Sequence, residues 1–202
     1  MAFTGIASFA KLPVVEDPVG AGADAVVLGV PYDAGIGFRP GTRFGPRAIR
    51  DMSTRYAFGE AGSSERGYFD IETGERMLDN VTVVDGGDAD ILYLDTDYTF
   101  TRITTAVARI VQSGAVPAVL GGDHSITFPV VRGLEARGPF GLIHLDAHLD
   151  FKDTVAGVTL GNSSPIRRAS ELPFVTEIVS IGTRGIRTSE VDLAAARARG
   201  NV

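Results

Sequence analysis

The sequence predicts an α/β fold whose core is a parallel β-sheet. Five short runs rich in Val, Ile and Leu predict strands, and they lie at residues 24–30, 81–85, 116–121, 140–146 and 177–182. These runs are mostly apolar and end at Gly, Asp or Pro, which is typical of strands covered on both faces. Helical patterns separate the runs, and strands that alternate with helices form βαβ units around a parallel sheet.

Three of the connecting segments have the periodicity and the capping residues of helices. Residues 97–113 place apolar side chains on one face. Residues 125–137 begin with Ser125, which is a favourable N-cap residue. In the last segment Ser189 is followed three residues later by Asp192 and then by an alanine-rich stretch, a pattern that marks the start of a helix.

Two stretches lack this periodicity. Residues 31–47 contain closely spaced glycines and prolines, and a helix is expected to begin at Pro46. Residues 59–80 are polar and glycine-rich, so a surface excursion is expected there. With no internal repeat and a length suited to one core, residues 1–202 are predicted to belong to a single domain.

Composition and charge exclude several classes of function. The 202 residues carry a net charge of −6 without a run of Lys or Arg, so neither a nucleic acid nor a membrane surface is expected as a partner. No apolar stretch approaches the roughly 20 residues that span a bilayer. The chain has no cysteine, which excludes disulfides and thiolate ligands. Together with an N-terminus unlike a secretion signal, these features predict a cytoplasmic protein.

The segment HLDAHLD, residues 144–150, is the most informative part of the sequence for chemistry. In an extended chain His144, Asp146, His148 and Asp150 point to one side. Carboxylates held that close together repel each other, and neither ionises readily without a compensating cation. Asp and His are ligands expected for Mn, Fe or Zn, so the segment predicts a divalent-metal site formed by Asp146, His148 and Asp150.

An amphipathic strand whose polar face meets water is the alternative interpretation of this segment. The strongly apolar run upstream and the position at the carboxyl end of a strand, where open α/β sheets place their sites, favour the metal site. His144 lies further back along the strand. It is predicted to be a buried, hydrogen-bonded histidine of the core rather than a ligand.

The segment GGDHS, residues 121–125, follows another predicted strand. Its two glycines permit a tight turn, and Asp123 and Ser125 can hydrogen-bond the start of the next helix. His124 is then expected at the same edge of the sheet as Asp146, where it would be a further metal ligand. By itself the segment fits a plain strand-to-helix turn with a surface histidine equally well.

Together, GGDHS and DAHLD resemble the metal-binding signature of the ureohydrolase superfamily, which includes arginase, agmatinase, guanidinobutyrase and formiminoglutamase. The stretches GVPYDAGIGFRPGTRFGPRAIR at 29–50 and VVDGGDAD at 83–90 are similar to the agmatinase branch. The resemblance covers nearly the whole chain. It implies an arginase-like, three-layer α/β/α fold with a mainly parallel sheet, and a homo-oligomer.

The resemblance also implies a Mn²⁺-dependent amidinohydrolase with two manganese ions in the complete site. His124, Asp146 and Asp150 would bind one ion, and Asp146 would bridge to a second ion bound by His148. Two such ions share a water and lower its pKa, and the resulting hydroxide would attack the planar carbon of a guanidino or amidino substrate. By ligand type alone, Fe, Ni or Zn fit as well as Mn.

The stretch GNSSPIRR at 161–168 departs from the family pattern. Asn162 stands where agmatinase-like members have a histidine, and it cannot act as a general acid, so the proton donor to the leaving amine is left unassigned. Asn162 and Ser163 are predicted substrate contacts, with a polar turn before Pro165 as the alternative. An acidic group of the substrate could be bound by Arg39, Arg43 or Arg167, unless these arginines are solvated or structural.

The family completes its site with a later Asp-x-Asp segment, and this chain has none after Asp150. Arginase-like sheets also insert two further strands between those carrying GGDHS and DAHxD. We therefore expect residues 1–202 to be the N-terminal portion of a longer domain, truncated at the C-terminus. The competing interpretations are a shortened, catalytically incompetent relative, and a hydrolase of a ureido or formimino substrate rather than agmatine.

Overall fold

The computed structural model describes residues 4–57 and 67–199. Its strands are β1 Ala25–Val30, β2 Tyr68–Phe69, β3 Arg76–Met77, β4 Val83–Asp88, β5 Val116–Gly121, β6 Phe140–Leu145 and β7 Val175–Ile181. Its α-helices are α1 Gly45–Ser53, α2 Thr96–Gln112, α3 Thr127–Gly133, α4 Pro165–Ser170 and α5 Glu190–Ala198. Short 3₁₀ turns lie at Phe9–Lys11, Thr42–Phe44, Thr54–Tyr56, His124–Ile126 and Glu135–Arg137.

All five predicted strands form, and they pair in parallel. One sheet has the order β4-β1-β5, in which Ala25 is in register with both Val83 and Val116. Strands β6 and β7 form a second parallel pair. The prediction of an α/β fold with parallel strands is therefore confirmed.

The sheet differs from a continuous one at a single place. Within residues 4–57 and 67–199, β5 and β6 are not hydrogen-bonded to each other. Each of these two strands therefore has one paired edge and one unpaired edge. Each sheet has its own apolar core. The first core centres on β1 and α2, and the second packs β7 and α4 against the segment that follows β6.

Helix α2 follows the predicted pattern closely. Asp95 caps it, since its side chain accepts a hydrogen bond from the amide of Tyr98. The apolar stripe faces inward, and Ile103, Val107 and Ile110 are almost fully buried against β1. Burial of this stripe, rather than helix propensity, provides most of the stability of such a helix.

The predicted helix 125–137 is shorter and begins differently from the prediction. Helix α3 covers only its middle part, between two 3₁₀ turns. Ser125 is not the N-cap: the side chain of Asp123 occupies that role and accepts from the Ser125 amide at 2.7 Å. The reason is that the chain already turns at Asp123, so Ser125 falls inside the turn and is buried.

The remaining predicted elements have different outcomes. Pro46 lies in the first turn of α1, as expected. Ser189 caps α5 and accepts from the Asp192 amide at 3.1 Å, which confirms the predicted helix start. The excursion predicted at 59–80 contains the antiparallel hairpin β2-β3, and its residues 59–66 lie outside the described part of the chain. Among the residues described, no helix has both the length and the apolar character needed to cross a membrane.

Candidate metal centre

Two loops at the carboxyl ends of β5 and β6 bring an imidazole and two carboxylates together. His124 opens the 3₁₀ turn after β5, and Asp146 and Asp150 follow β6. The Nδ1 atom of His124 lies 2.5 Å from Asp150 Oδ2 and 3.6 Å from Asp146 Oδ2. The sequence expectation that these three residues meet at one edge therefore agrees with the geometry.

The convergence does not arise from an extended strand, as the sequence argument assumed. Strand β6 ends at Leu145, and the residues after it form a loop. Asp150 has a φ of 48°, in the left-handed region that is uncommon for residues other than glycine. In this conformation the carboxylate of Asp150 contacts His124. The side chain of His148, by contrast, is 61% exposed and does not turn into the cluster in the same way.

His144 has two relations to the cluster. It is buried and its Nδ1 lies 3.1 Å from Ser180 Oγ, in agreement with the prediction of a hydrogen-bonded core histidine. Its ring also stacks on that of His124, with centroids 5.3 Å apart. Its Nε2 is buried without a hydrogen-bond partner and lies 3.7 Å from Asp146 Oδ2.

The four residues with potential ligand atoms within 4.8 Å of one another are His124, His144, Asp146 and Asp150. His148 lies outside that group, but its Nδ1 is 3.4 Å from the other oxygen of Asp146, Oδ1. Asp146 therefore has imidazoles on both of its oxygens. These residues could hold a divalent cation, because carboxylate oxygens and imidazole nitrogens within such distances match what Mn, Fe or Zn require.

The electrostatics favour the protonation states that metal ligands need. Burial, and secondarily the nearby His124, lower the pKa of His144, which favours the neutral imidazole. Burial acts to raise the pKa of Asp146, but the His148 amide and the surrounding histidines outweigh it, so that this pKa is lowered. The sequence predicted that a cation would be necessary for ionisation, but the His148 amide already favours the charged form of Asp146 by donating to its Oδ1 at 2.8 Å.

Asp123 holds the loop that carries His124 against a second loop. Its Oδ2 accepts from the Gly35 amide at 2.8 Å, and its own amide donates to the Tyr32 carbonyl at 2.8 Å. A Cβ added at Gly35 would lie 2.7 Å from Ser125 Oγ, so a side chain at position 35 would displace this junction. The glycine-rich stretch after β1 thus forms one wall of the site.

A cavity of about 1200 Å³ opens beside the cluster. Asn162 and Ser163, the predicted substrate contacts, are among the residues that line it. Their backbones also brace it, because the Asn162 amide donates to the Gly35 carbonyl and the Ser163 carbonyl accepts from the Lys152 amide. His124, Asp146, His148 and Asp150 line the same cavity.

The three arginines predicted to meet an acidic substrate group do not line this cavity. Arg43 pairs with Asp33, and Arg167 lies near Asp153 and Glu171. Arg39 is exposed. The Arg43–Asp33 and Arg167–Asp153 contacts join different segments of the chain, so the local pattern of residues did not reveal them.

The cations in the wall are instead Lys152 and Arg187, which the sequence argument missed. The available signal for Lys152 was its position two residues after Asp150. No comparable signal marked Arg187.

The sequence profile of the arginase family matches residues 23–200. The chain belongs to the arginase family. It is 37% identical to the mitochondrial guanidino acid hydrolase of Homo sapiens over 92% of its own length and 50% of that protein. It is likewise 37% identical to the mitochondrial agmatinase of Gallus gallus, over 90% of this chain and 51% of the relative.

The fold of this arginase-family chain matches solved structures. The proclavaminate amidinohydrolase of Streptomyces clavuligerus superposes with a TM-score of 0.82 at 29% identity, over 100% of this chain and 64% of the other. The structure of a hypothetical agmatinase from Burkholderia thailandensis superposes with a TM-score of 0.78 at 28% identity, over 96% of this chain and 58% of the other. The arginase-like α/β fold is thereby established. The chain spans about half the length of the curated relatives it matches.

Proposed function

We propose that the protein is an agmatinase-like, manganese-dependent amidinohydrolase that cleaves a C–N bond of a linear guanidine or amidine. The observation that carries the proposal is the cluster of His124, His144, Asp146 and Asp150 beside a cavity, in a chain of the arginase family. Curated relatives named agmatinase, guanidinobutyrase and proclavaminate amidinohydrolase support the reaction class.

The donor set fits a two-ion site centred on Asp146. His124, Asp146 and Asp150 would hold one ion, and Asp146 with His148 would hold the second. The buried Nε2 of His144 supports the fit, because a buried imidazole nitrogen without a hydrogen-bond partner is costly unless it has a ligand. His144 is thus proposed as an additional ligand or close neighbour of the first ion.

The ions would supply a Lewis acid and a water of lowered pKa near neutral pH. The chain supplies the positions of the other groups. Asn162 and Ser163 would orient the substrate, since both line the cavity. Hydrolysis adds water across the guanidino carbon, breaks its bond to the alkyl nitrogen and yields urea and an amine. Asn162 cannot provide the proton that the amine takes up, so that proton would come from water or from another residue.

We also propose that the protein is cytoplasmic and a homo-oligomer. The absence of cysteine from the sequence supports a reducing compartment. The names of two relatives place those proteins in mitochondria. Fractionation of cells and light scattering of the purified natural polypeptide would test these two statements.

The decisive experiment measures urea release from guanidino compounds by the natural polypeptide with added Mn²⁺. The wild type is expected to release urea from at least one compound. Asp146→Asn is expected to lose bound metal and to lower kcat/KM by a factor of about 10² or more, because a neutral amide replaces the carboxylate that would hold both ions.

The matched control is Asp153→Asn. Asp153 lies three residues after Asp150, but its carboxylate contacts Arg168 outside the cluster. This variant is expected to keep its metal and most of its activity. Full metal occupancy in Asp146→Asn, or no urea from any guanidine with the metal bound, would contradict the proposal.

A further inference from the structure

The wall of the cavity that contains Lys152 and Arg187 carries an excess of positive charge. Besides the metal cluster and its exposed His148, the charged residues that line the cavity are these two cations and one carboxylate, Asp192. Outside the cluster, the lining of the cavity therefore presents two cations against a single anion.

Arg187 is the less committed of the two cations. Six other arginines each contact a carboxylate, and they are Arg43, Arg50, Arg102, Arg109, Arg167 and Arg168. Over residues 4–57 and 67–199, Arg187 forms neither an ion pair nor a hydrogen bond, and it is exposed to the cavity. Its guanidinium can therefore bind an anion without first breaking an existing pair.

Lys152 is close to the cluster and only weakly engaged. Its Cα lies at most about 7 Å from that of Asp150, because a single residue separates them along the chain. Its amide is fixed by the Ser163 carbonyl at 3.0 Å. Its Nζ lies 3.4 Å from Asp192 Oδ2, which is long for a charge-assisted hydrogen bond. The remaining donors of this ammonium can bind a second anion.

Asp192 is the group that would favour a substrate with an amine instead of an acid. Its Oδ2 already accepts from Ser189 Oγ at 2.6 Å, in addition to its contact with Lys152. The same residue stands in the capped first turn of α5, where its amide binds Ser189. The carboxylate of Asp192 is thus already engaged, whereas Arg187 has no partner among the described residues. This wall therefore suits a substrate carboxylate better than a substrate ammonium.

We propose that Lys152 and Arg187 bind a carboxylate at the far end of the substrate, so that the preferred substrate is a guanidino carboxylic acid rather than a guanidino amine. This inference rests on the proposed amidinohydrolase function. The guanidinium would lie at the cluster and the acid at the two cations. Lys152 and Arg187 are thus proposed as specificity-determining residues that bind the acid group rather than the bond that breaks.

The test compares three compounds that differ at one end. They are 4-guanidinobutyrate, its neutral amide and agmatine. With the Mn²⁺-loaded natural polypeptide, kcat/KM is expected to be about tenfold or more higher for the acid than for the amide, as one charge-assisted hydrogen bond provides. Agmatine, which carries an ammonium, is expected to be the poorest substrate.

Arg187→Gln and Lys152→Gln are each expected to lower kcat/KM for the acid about tenfold, chiefly through KM, and to leave the amide within about twofold. The matched control is Arg184→Gln. Arg184 lies in the same loop, but it does not line the cavity and donates to the Gly182 carbonyl. This control is expected to leave the preference for the acid unchanged.

A second measurement separates this inference from the proposed function. Calorimetry on the metal-free polypeptide measures binding of the acid and of the amide without turnover. Tighter binding of the acid that is lost in Arg187→Gln supports the inference, even if the loaded protein releases no urea. Equal binding of acid and amide by the wild type, or an unchanged preference in both variants, would overturn it while leaving any observed urea release intact.

Discussion

His144 and His148 belong to the same alternating sequence pattern but lie in different environments in the fold. His144 is buried between Ser180 and Asp146, whereas the side chain of His148 is mostly exposed. A buried imidazole contributes both packing and a hydrogen bond, so its removal affects folding as well as any bound ion. Removal of an exposed histidine is expected to affect the binding of its ligand but not folding.

His144→Ala is expected to lower the free energy of unfolding of the metal-free chain by about 2 kcal/mol or more, and to lower metal content as well. His148→Ala is expected to change the free energy of unfolding by less than about 0.5 kcal/mol and to lower the occupancy of the second ion only. Urea denaturation and elemental analysis of both variants test this. A fully loaded His144→Ala protein would show that His144 is a core residue alone.

At the scale of elements, a buried ion-pair network joins α1 to β4. Arg50 on α1 donates to both carboxylate oxygens of Asp85, at 2.8 and 2.9 Å, and to Asp88 at 2.5 Å. Asp85 is almost fully buried and also accepts from the Phe9 amide. Burial acts to raise the pKa of Asp85, but Arg50 and the amides outweigh it, and this pKa is lowered.

The pKa of Asp85 is lower in the folded state than in the unfolded state. Its contribution to the free energy of unfolding is therefore fully present above the unfolded pKa of about 3.9. That contribution is lost as pH falls through the lower, folded pKa. Asp85→Asn is therefore expected to lower the free energy of unfolding by about 3 kcal/mol at pH 7, since it leaves Arg50 buried with less compensation. The difference from the wild type should shrink below about pH 4.

Urea denaturation at neutral and acid pH measures this effect. The control is Asp90→Asn, because Asp90 pairs with Arg102 on the surface, where an ion pair contributes about 0–1 kcal/mol. If the difference in unfolding free energy between Asp85→Asn and the wild type stayed constant with pH, the charge of Asp85 would not be the source of its stabilising effect.

At the scale of the whole molecule, the pair β6-β7 has one apolar face open to solvent. Ile143 is in register with Val179, and Leu145 with Ile181, so all four side chains lie on the same face. They are 44–75% exposed. A contiguous apolar patch of this kind binds hydrophobic dyes and promotes association. The opposite face packs in the second core through Ile178.

The double variant Ile143→Thr/Val179→Thr is expected to reduce dye fluorescence and aggregation of the 202-residue chain, with a change in unfolding free energy below about 1 kcal/mol. Ile178→Thr on the opposite face is expected to destabilise by about 2 kcal/mol or more, because it places a hydroxyl in the core. Fluorescence titration and urea denaturation test both statements. Unchanged dye binding in the double variant would show that the patch lies elsewhere.

The sequence by itself determined the features that depend on neighbouring residues. The apolar runs predicted the five parallel strands. The N-cap Ser189 predicted α5, and the apolar periodicity predicted α2. These predictions succeed because strand and helix periods are local properties of the chain. The motifs GGDHS and DAHLD also identified His124, Asp146 and Asp150 as residues that meet. Strands that are predicted to lie side by side in one parallel sheet have their carboxyl ends at the same edge, so the sequence could predict that the two motifs meet.

Only the tertiary structure decided which other side chains join them. The turn at Asp123, the left-handed conformation of Asp150 and the unpaired edges of β5 and β6 depend on contacts between segments far apart in the chain. Those contacts place His144 beside the cluster and bring Arg187 to the cavity wall, while Arg43 and Arg167 pair elsewhere. A local pattern specifies a residue's own element, but the neighbours of its side chain are set by the path of the whole backbone.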